Sequence, residues 1–361
     1  MEQLNNKAQF QRILFLDYLR IFAFMSVLIG HKFYGHALSI INNDTIHATP
    51  RFALELLLPL FHGGGAGVVV FFLISGYIIT YVLQTEQPID FFIKRVFRIF
   101  PLYMTAVLLQ VAINSYAGNG FPSLFTLIPQ LLLIGDLFGT PYTLGGVEWT
   151  LRLEIMFYIY MGVLKYLGLF HVHKKYLPFV IMATCLFLAV ISPIPSSDVW
   201  SKGYVTIYGP FLLLGAIFYL KEIKQISFWV LAAVIALVLL QYYYLIAMYQ
   251  AKWIGAHFAT LSVIIFFLSW RYRFRFEATP TVLLLSNLTY SVYLLHNWTW
   301  GPIKRIIEKY SITILHPDIQ TVLALFLMCF LMFHLVEKPG IKVGKYILKN
   351  IMHNKKLNPT V

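Results

Sequence analysis

The chain has 361 residues, of which 59% are hydrophobic and only 12% are charged, and its mean hydropathy is +0.72. Soluble globular domains carry roughly 25% charged residues, so the composition excludes a soluble fold and predicts an all-α, polytopic membrane protein. The net charge of +13 does not indicate a nucleic-acid partner, because the basic residues lie in short loops between apolar stretches, as is usual in membrane proteins. The expected partner is a lipid bilayer, and the oligomeric state stays open.

Ten apolar stretches predict ten membrane spans. Ten spans place both termini on one side of the membrane, and most of the 28 Lys and Arg residues fall on that side. Cytoplasmic loops carry an excess of Lys and Arg, so this side is predicted to be the cytoplasm. The predicted spans cover residues 13–30, 64–84, 99–116, 148–166, 176–194, 203–220, 226–245, 256–270, 281–299 and 319–337.

Two segments fall outside this pattern. Residues 123–137 are apolar but short, and Pro129 interrupts them, which predicts a re-entrant or interfacial helix on the outer side. Residues 341–361 are basic and amphipathic and predict a cytoplasmic tail on the anionic inner leaflet. Residues 1–340 are assigned to a single transmembrane domain.

The first span carries a polar stripe of Asp17, Arg20 and His31. Arg20 and His31 are separated by about three helical turns and so share one face. A charge at the bilayer centre costs at least about 2.5–3.5 kcal/mol, so the stripe predicts a polar cavity. A histidine there could be a general base or accept an acyl group itself. The bland alternatives are an interfacial histidine and a structural Asp17–Arg20 ion pair.

The next two spans offer small residues and a basic cluster. Glycines in residues 62–67 allow a bend or close helix packing, and Ser75 begins a second small-residue site. Helix packing explains both groups of small residues. The functional alternative is that the absence of large side chains leaves room for a narrow ligand. Lys94, Arg95 and Arg98 precede the third span. They fit the positive-inside bias, and they could also bind the phosphates of a cytoplasmic donor.

The fourth span contains Trp149 and Glu154, both predicted near its outer end. Glu154 stands in an apolar helix, so we expect it to face the interior and to pair with Arg20 or His31. Glu148 and Arg152 are predicted to form an ordinary surface pair.

The ninth span contains Tyr290, Tyr293 and His296. They could line the same cavity or form hydrogen bonds between helices. Cys185 and Cys329 both lie in the middle of predicted spans and cannot form a metal cluster, so no metal site is predicted.

Six motifs, in this order, resemble the acyltransferase type 3 family of integral membrane enzymes. No single motif is specific to the family, but the occurrence of all six in this order along nearly the whole chain is specific. They are Arg20-x10-His31, FFLISGYII at 71–79, RVFRIFP at 95–101, WTLRLE at 149–154, YSVYLLH at 290–296 and the Glu337-Lys-Pro339 element.

The resemblance implies transfer of an acyl group, usually acetyl, from cytoplasmic acetyl-CoA to a hydroxyl of an envelope glycan acceptor such as a lipopolysaccharide O-antigen. It also implies a bacterial cytoplasmic (inner) membrane location. Arg20 and His31 would be the essential pair, and Arg95 and Arg98 would lie at the donor entrance. Whether a separate extracytoplasmic partner completes the transfer stays open.

From the residues and the resemblance together we assign three sets of candidate site residues. The catalytic set is His31, Arg20 and Glu154; the donor-binding set is Arg95, Arg98, Lys94 and Ser75; and the acceptor-binding set is Asp17, Trp149, Tyr290 and His296. The main alternative is a transporter or flippase for a lipid-linked glycan that uses the same polar stripe without chemistry. A scaffold subunit is less favoured, because a scaffold has no need to bury these charges.

Overall fold

The computed structural model describes residues 12–196, 202–250, 256–310 and 315–357, and these form a helical bundle without a strand. The all-α prediction is confirmed. The helices are α1 Leu14–Lys32, α2 Tyr34–Ile41, α3 Ala48–Leu57, α4 Gly65–Val82, α5 Pro88–Asn114, α6 Leu124–Leu131, α7 Glu148–Tyr166, α8 Leu177–Val190, α9 Tyr204–Glu222, α10 Phe228–Tyr249, α11 Phe258–Arg271, α12 Pro280–Lys309, α13 Pro317–Met332 and α14 Lys338–Leu357.

Each predicted span coincides with one of these helices, but they differ in length. Six helical segments of the described residues are long and apolar enough to cross a membrane, and α11 is a shorter apolar helix. The total of ten spans and the side of the termini remain predictions. The six segments are Leu14–Lys32, Ala48–Val82, Pro88–Asn119, Tyr204–Glu222, Phe228–Tyr249 and Pro317–Ile351.

Helix α5 begins eleven residues earlier than the predicted third span. Pro88 occupies its first turn, where proline's fixed φ and missing N–H fit a helix start. Lys94, Arg95 and Arg98 therefore stand on a continuous helix and not in a loop. Their spacing along this helix decides which of them can reach the bundle interior.

The apolar segment that follows α5 forms only the short helix α6 and a 3-10 turn at Gly135–Phe138. Eight residues of helix rise about 12 Å, which is too short to cross a hydrocarbon core of about 30 Å. Pro129 is buried inside α6. The structure therefore agrees with a segment that does not span, and its depth in the membrane stays a prediction.

Helix α14 packs against α5 through its glycines. A Cβ on Gly340 would come within 2.8 Å of the Pro101 ring, and one on Gly344 within 2.7 Å of the Phe97 side chain. The opposite side exposes lysines, which are Lys338, Lys342, Lys345 and Lys349. The cytoplasmic tail at 341–361 and its contact with lipid remain predictions, and residues 358–361 lie outside the described residues.

Glycines bring α1, α4 and α9 into backbone contact. A Cβ on Gly67 would overlap the Ala23 carbonyl of α1. A Cβ on Gly76 would overlap the Leu212 carbonyl of α9, and one on Gly215 would overlap the Leu73 carbonyl of α4 in return. Helix α4 is thus clamped between two neighbours at van der Waals distance, which fixes the depth of every side chain it carries.

We expect Gly76→Ala to destabilise the protein by about 1–3 kcal/mol, because an added methyl group in a packed interface forces the backbones apart. The measurement is the midpoint of thermal unfolding in detergent. Gly301→Ala is the matched control, since Gly301 lies in α12 with no atom within 4 Å of the added Cβ. Equal unfolding temperatures for the two variants would contradict the close α4–α9 contact.

Candidate active site

Helices α1, α4, α7 and α12 contribute to two cavities that follow one another along the bundle. The first, called the histidine cavity below, has a volume of about 690 Å³. Its lining includes His31, Val68, Tyr142, Trp149, Tyr293 and Asn297. The second, called the arginine cavity below, has a volume of about 180 Å³. Its lining includes Arg20, Phe71, Arg95, Arg98, Glu154 and Tyr290.

The predicted polar stripe on α1 is therefore divided. Arg20 lines the arginine cavity and His31 lines the histidine cavity. Eleven residues of helix place their backbones about 16 Å apart. The two residues share a face of the helix, as predicted, but they cannot act on the same atoms. The resemblance makes Arg20 and His31 an essential pair, and the structure places them at separate cavities.

His31 contacts a second histidine. Its Nδ1 lies 2.9 Å from Nε2 of His296. The Nδ1 of His296 lies 2.7 Å from the Tyr293 carbonyl and 3.2 Å from the Val292 carbonyl. Carbonyls only accept, so His296 Nδ1 carries the proton and Nε2 accepts from His31 Nδ1–H. This leaves His31 Nε2 as the nitrogen that can take up a proton.

The start of α4 lies beside this histidine pair. Gly63 and Gly64 have φ of 56° and 71°, a left-handed conformation that glycine adopts without strain. They turn the chain so that α4 begins at Gly65, which also lines the histidine cavity. A Cβ on Gly30 would overlap the Gly64 nitrogen. Helix N-termini carry partial positive charge, and this close approach places one next to His31.

A loop closes the histidine cavity from the side of α7. Lys32 Nζ donates to Asn297 Oδ1 at 2.8 Å, and Asn297 Nδ2 donates to the Gly145 carbonyl at 2.6 Å. These contacts hold the loop that carries Tyr142. Burial raises the pKa of the Tyr142 hydroxyl to about 12, so at neutral pH this group can donate a hydrogen bond.

Asp17 anchors the arginine cavity. Its carboxylate is fully buried and accepts from Arg12 at 2.6 Å, from Arg20 at 2.8 Å and from Ser286 at 2.6 Å. The structural ion pair considered from the sequence is present. Asp17 is not among the residues that line either cavity, so the structure gives no support for an acceptor contact by this residue.

Glu154 pairs differently from the prediction. It accepts from Ser75 Oγ at 2.7 Å and from the Tyr158 hydroxyl, and not from Arg20 or His31. It lines the arginine cavity, whereas Trp149, five residues earlier on α7, lines the histidine cavity. The prediction placed both near the outer end of one span, but more than a turn of helix separates them.

The basic cluster on α5 also divides. The Arg95 guanidinium lies 5.2 Å from the Phe91 ring centroid and 5.7 Å from that of Tyr158. Its Nε is buried without a hydrogen-bond partner among the described residues. Arg98 is exposed and lines the cavity beside it. Lys94 instead pairs with Glu86 at 2.6 Å and does not line the cavity.

Glu148 and Arg152 are not a surface pair. Both are buried, and Arg152 pairs with Asp136 at 2.7 Å and donates to the Leu133 carbonyl at 2.6 Å. Glu148 accepts from the Thr143 backbone and hydroxyl. The segment that carries Leu133 and Asp136 folds over the start of α7 and supplies partners that helical spacing does not reveal.

The tyrosines of α12 are fixed by hydrogen bonds. Tyr290 donates to the Ile99 carbonyl at 2.8 Å. The Tyr293 hydroxyl lies 2.5 Å from Thr150 Oγ1 and 3.3 Å from the Val147 carbonyl. The cavity residues that were not predicted from the sequence include Tyr142, Tyr158 and Asn297. Lys32, which directly follows His31, bonds to Asn297.

Comparison with known proteins shows the family of the chain. A family model described as an acyltransferase domain matches residues 13–336, nearly the whole chain. The chain belongs to the acyltransferase type 3 family. Together with its apolar helices, this membership fits a multi-pass membrane protein of an acyltransferase family.

One relative is Nodulation protein 10 of Rhizobium leguminosarum bv. viciae, which is 29% identical over 168 residues. The alignment covers 41% of this chain and 43% of the relative, so it spans less than half of either protein. No solved structure matches the acyltransferase.

We expect Asp17→Asn to destabilise the acyltransferase by roughly 3 kcal/mol, the lower end for a broken buried ion pair, because both arginines keep some solvent contact. Ser286→Ala removes one hydrogen bond and keeps both ion pairs, so it should cost about 1 kcal/mol. The measurement is thermal unfolding in detergent. If Ser286→Ala lowered the unfolding temperature as much as Asp17→Asn, the ion pairs of Asp17 would not be the main stabilising contacts at this end of α1.

Proposed function

We propose that this acyltransferase moves an acetyl group from acetyl-CoA to a hydroxyl of a cell-surface glycan in the bacterial cytoplasmic membrane. The observation that carries the proposal is the His31–His296 pair at 2.9 Å. It leaves one imidazole nitrogen available at a cavity large enough for a sugar, with a cluster of guanidinium groups at the other end of the same helices.

The arginine cavity fits the phosphates of a carrier. Arg20, Arg95 and Arg98 converge on it against one carboxylate, Glu154. A buried guanidinium nitrogen without a partner, such as Arg95 Nε, is costly unless a ligand supplies an acceptor. Guanidinium groups bind phosphate oxygens in pairs, and coenzyme A carries several phosphates. Ser75 belongs to this lining but is already bonded to Glu154.

The histidine cavity fits a hydroxyl-rich acceptor. Its volume of about 690 Å³ lies within the usual 300–1,000 Å³ of small-molecule sites. Trp149 and Tyr208 border it with ring centroids 5.1 Å apart and offer apolar faces to a sugar ring. Tyr142 and Asn297 add polar groups at the rim. An acceptor with many hydroxyls and no strong charge suits this combination.

The chemistry then proceeds in two steps on His31. Nε2 takes the proton of the acceptor hydroxyl while the hydroxyl oxygen bonds to the thioester carbonyl carbon. The tetrahedral intermediate collapses, its carbon–sulfur bond breaks, and the imidazolium returns the proton to the leaving thiolate. The products are the glycan ester and the free thiol of coenzyme A. A covalent acyl-histidine relay is the alternative for the same residue.

Two neighbours assist this proton transfer. His296 fixes the ring and tautomer of His31 and is assigned as a positioning residue rather than an acceptor contact. The second is the N-terminal end of α4, at Gly65, whose partial positive charge favours a developing oxyanion.

We expect His31→Ala to lower acetyl transfer by about 10²–10⁴-fold, as for loss of a general base. His296→Ala should lower it by up to about 10²-fold, since a misplaced catalytic group costs that much. His36→Ala, an exposed histidine of α2, should leave transfer unchanged. The measurement is mass spectrometry of the surface polysaccharide together with coenzyme A release by the purified protein.

Two results would overturn this assignment. One is a normal level of glycan acylation in a His31→Ala strain that expresses the protein. The other is translocation of a lipid-linked glycan by the purified protein without consumption of acetyl-CoA, which would favour the transporter alternative.

We expect Arg98→Ala to raise KM for acetyl-CoA about 10-fold or more with a smaller change in kcat, because a charge-assisted hydrogen bond contributes about 1.5–3 kcal/mol. Arg275→Ala is the control, as this exposed arginine lies in the 3-10 turn after α11 and lines neither cavity. An equal rise in KM for both variants would show that the effect comes from general surface charge and not from a contact of Arg98 with the donor.

A further inference from the structure

Two aromatic rings lie at the boundary between the cavities. Phe71 of α4 lines the arginine cavity, and Tyr293 of α12 lines the histidine cavity. The rings are stacked, with centroids 6.0 Å apart and planes inclined by 4°. They therefore face each other across the path that joins the guanidinium cluster to His31.

The same boundary appears on both helices. Along α4, Val68 lines the histidine cavity and Phe71, about one turn further, lines the arginine cavity. Along α12, which runs in the opposite direction, Tyr290 lines the arginine cavity and Tyr293 the histidine cavity. The stacked pair thus occupies the one level at which both linings change.

The two rings are held differently. The Tyr293 hydroxyl is bonded to Thr150 Oγ1 and the Val147 carbonyl of α7, which ties this ring to a third helix. Phe71 has no polar atom to anchor it and is only partly buried. Its neighbour Phe72, by contrast, is fully buried against Trp149 and Tyr208. Free volume beside Phe71 makes it the ring that can move.

We propose that Phe71 and Tyr293 form a gate between the donor and acceptor cavities. The gate opens by rotation of Phe71 when the acyl-bearing arm of the donor enters. This inference rests on the proposed function. An open path would let water in the histidine cavity reach the thioester beside a histidine base. There the water oxygen would bond to the carbonyl carbon and release a carboxylic acid and the thiol. A closed gate suppresses that loss, because excluding water prevents side reactions of a reactive group.

Thiol labelling tests the gate without any reaction. Val68→Cys places a thiol in the histidine cavity after Cys185 and Cys329, the two native cysteines, are replaced by alanine. A charged methanethiosulfonate is added to the face of membrane vesicles where Arg98 is exposed. We expect slow labelling with Phe71 present and labelling at least about 10-fold faster with Phe71→Ala.

Matched variants separate the gate from general loosening. Phe24→Ala removes a buried ring of α1 that packs on Phe326 and lines neither cavity, so labelling should stay slow. Phe71→Leu keeps a bulky side chain and should give an intermediate rate, which preserves the test if Phe71→Ala does not fold. Equal labelling rates with Phe71, leucine and alanine would overturn the gate.

Coenzyme A release gives the second readout. In the absence of acceptor, Phe71→Ala should release thiol from acetyl-CoA several-fold faster than the parent, and Tyr293→Phe, which frees the ring from Thr150, should do so to a smaller extent. Faster labelling without thiol release in any variant would keep the gate and reject the proposed acyl-CoA chemistry. Normal acetyl transfer with unchanged labelling would reject the gate and keep the proposed acyl-CoA chemistry.

Discussion

The close contact between α1 and α4 is the constraint on which the rest of the site depends. A Cβ at Gly30, Gly64 or Gly67 would overlap the backbone of the facing segment, so glycine at these positions allows the close approach. Ser26 adds a polar link, donating to the Leu60 carbonyl at 2.6 Å and accepting from the Gly67 N–H at 3.0 Å. Because the backbones touch, the start of α4 lies beside His31. Phe71 and Ser75 then follow at depths set by the helix rise.

The buried carboxylates near the arginine cavity are the second constraint, and both accept hydrogen bonds. Asp17 accepts hydrogen bonds from two arginines and a serine, and Glu154 accepts them from a serine and a tyrosine. A buried charge left unpaired would destabilise the bundle by several kcal/mol. At the arginine cavity, Arg95 keeps a buried Nε without a hydrogen-bond partner among the described residues. The arginine cavity is therefore prepared for an anion, which is what binding of a phosphorylated carrier requires.

The positions of the helices could be predicted from the sequence, while the pairings between side chains could not. Hydropathy located the ten helices because burial in lipid leaves a strong local signal. Periodicity placed Arg20 and His31 on one face correctly, but it carries no information on which neighbouring helix each depth meets. The contacts of His31 with His296, and of Arg152 with Asp136, join residues whose distance along the chain is set by tertiary folding. The same limit explains why Glu154 was assigned the wrong partner.

The separation of the two ends restricts the kind of donor. Arg20 and His31 are about 16 Å apart along α1, and a stacked aromatic pair lies between their cavities. In an acyl phosphate the acyl carbon is bonded to a phosphate oxygen, so its phosphate could not remain at the arginines while its carbonyl reached His31. A thioester on a long, narrow arm satisfies both ends at once. The geometry thus favours a carrier such as coenzyme A on length alone, independently of the charge of the arginine cavity.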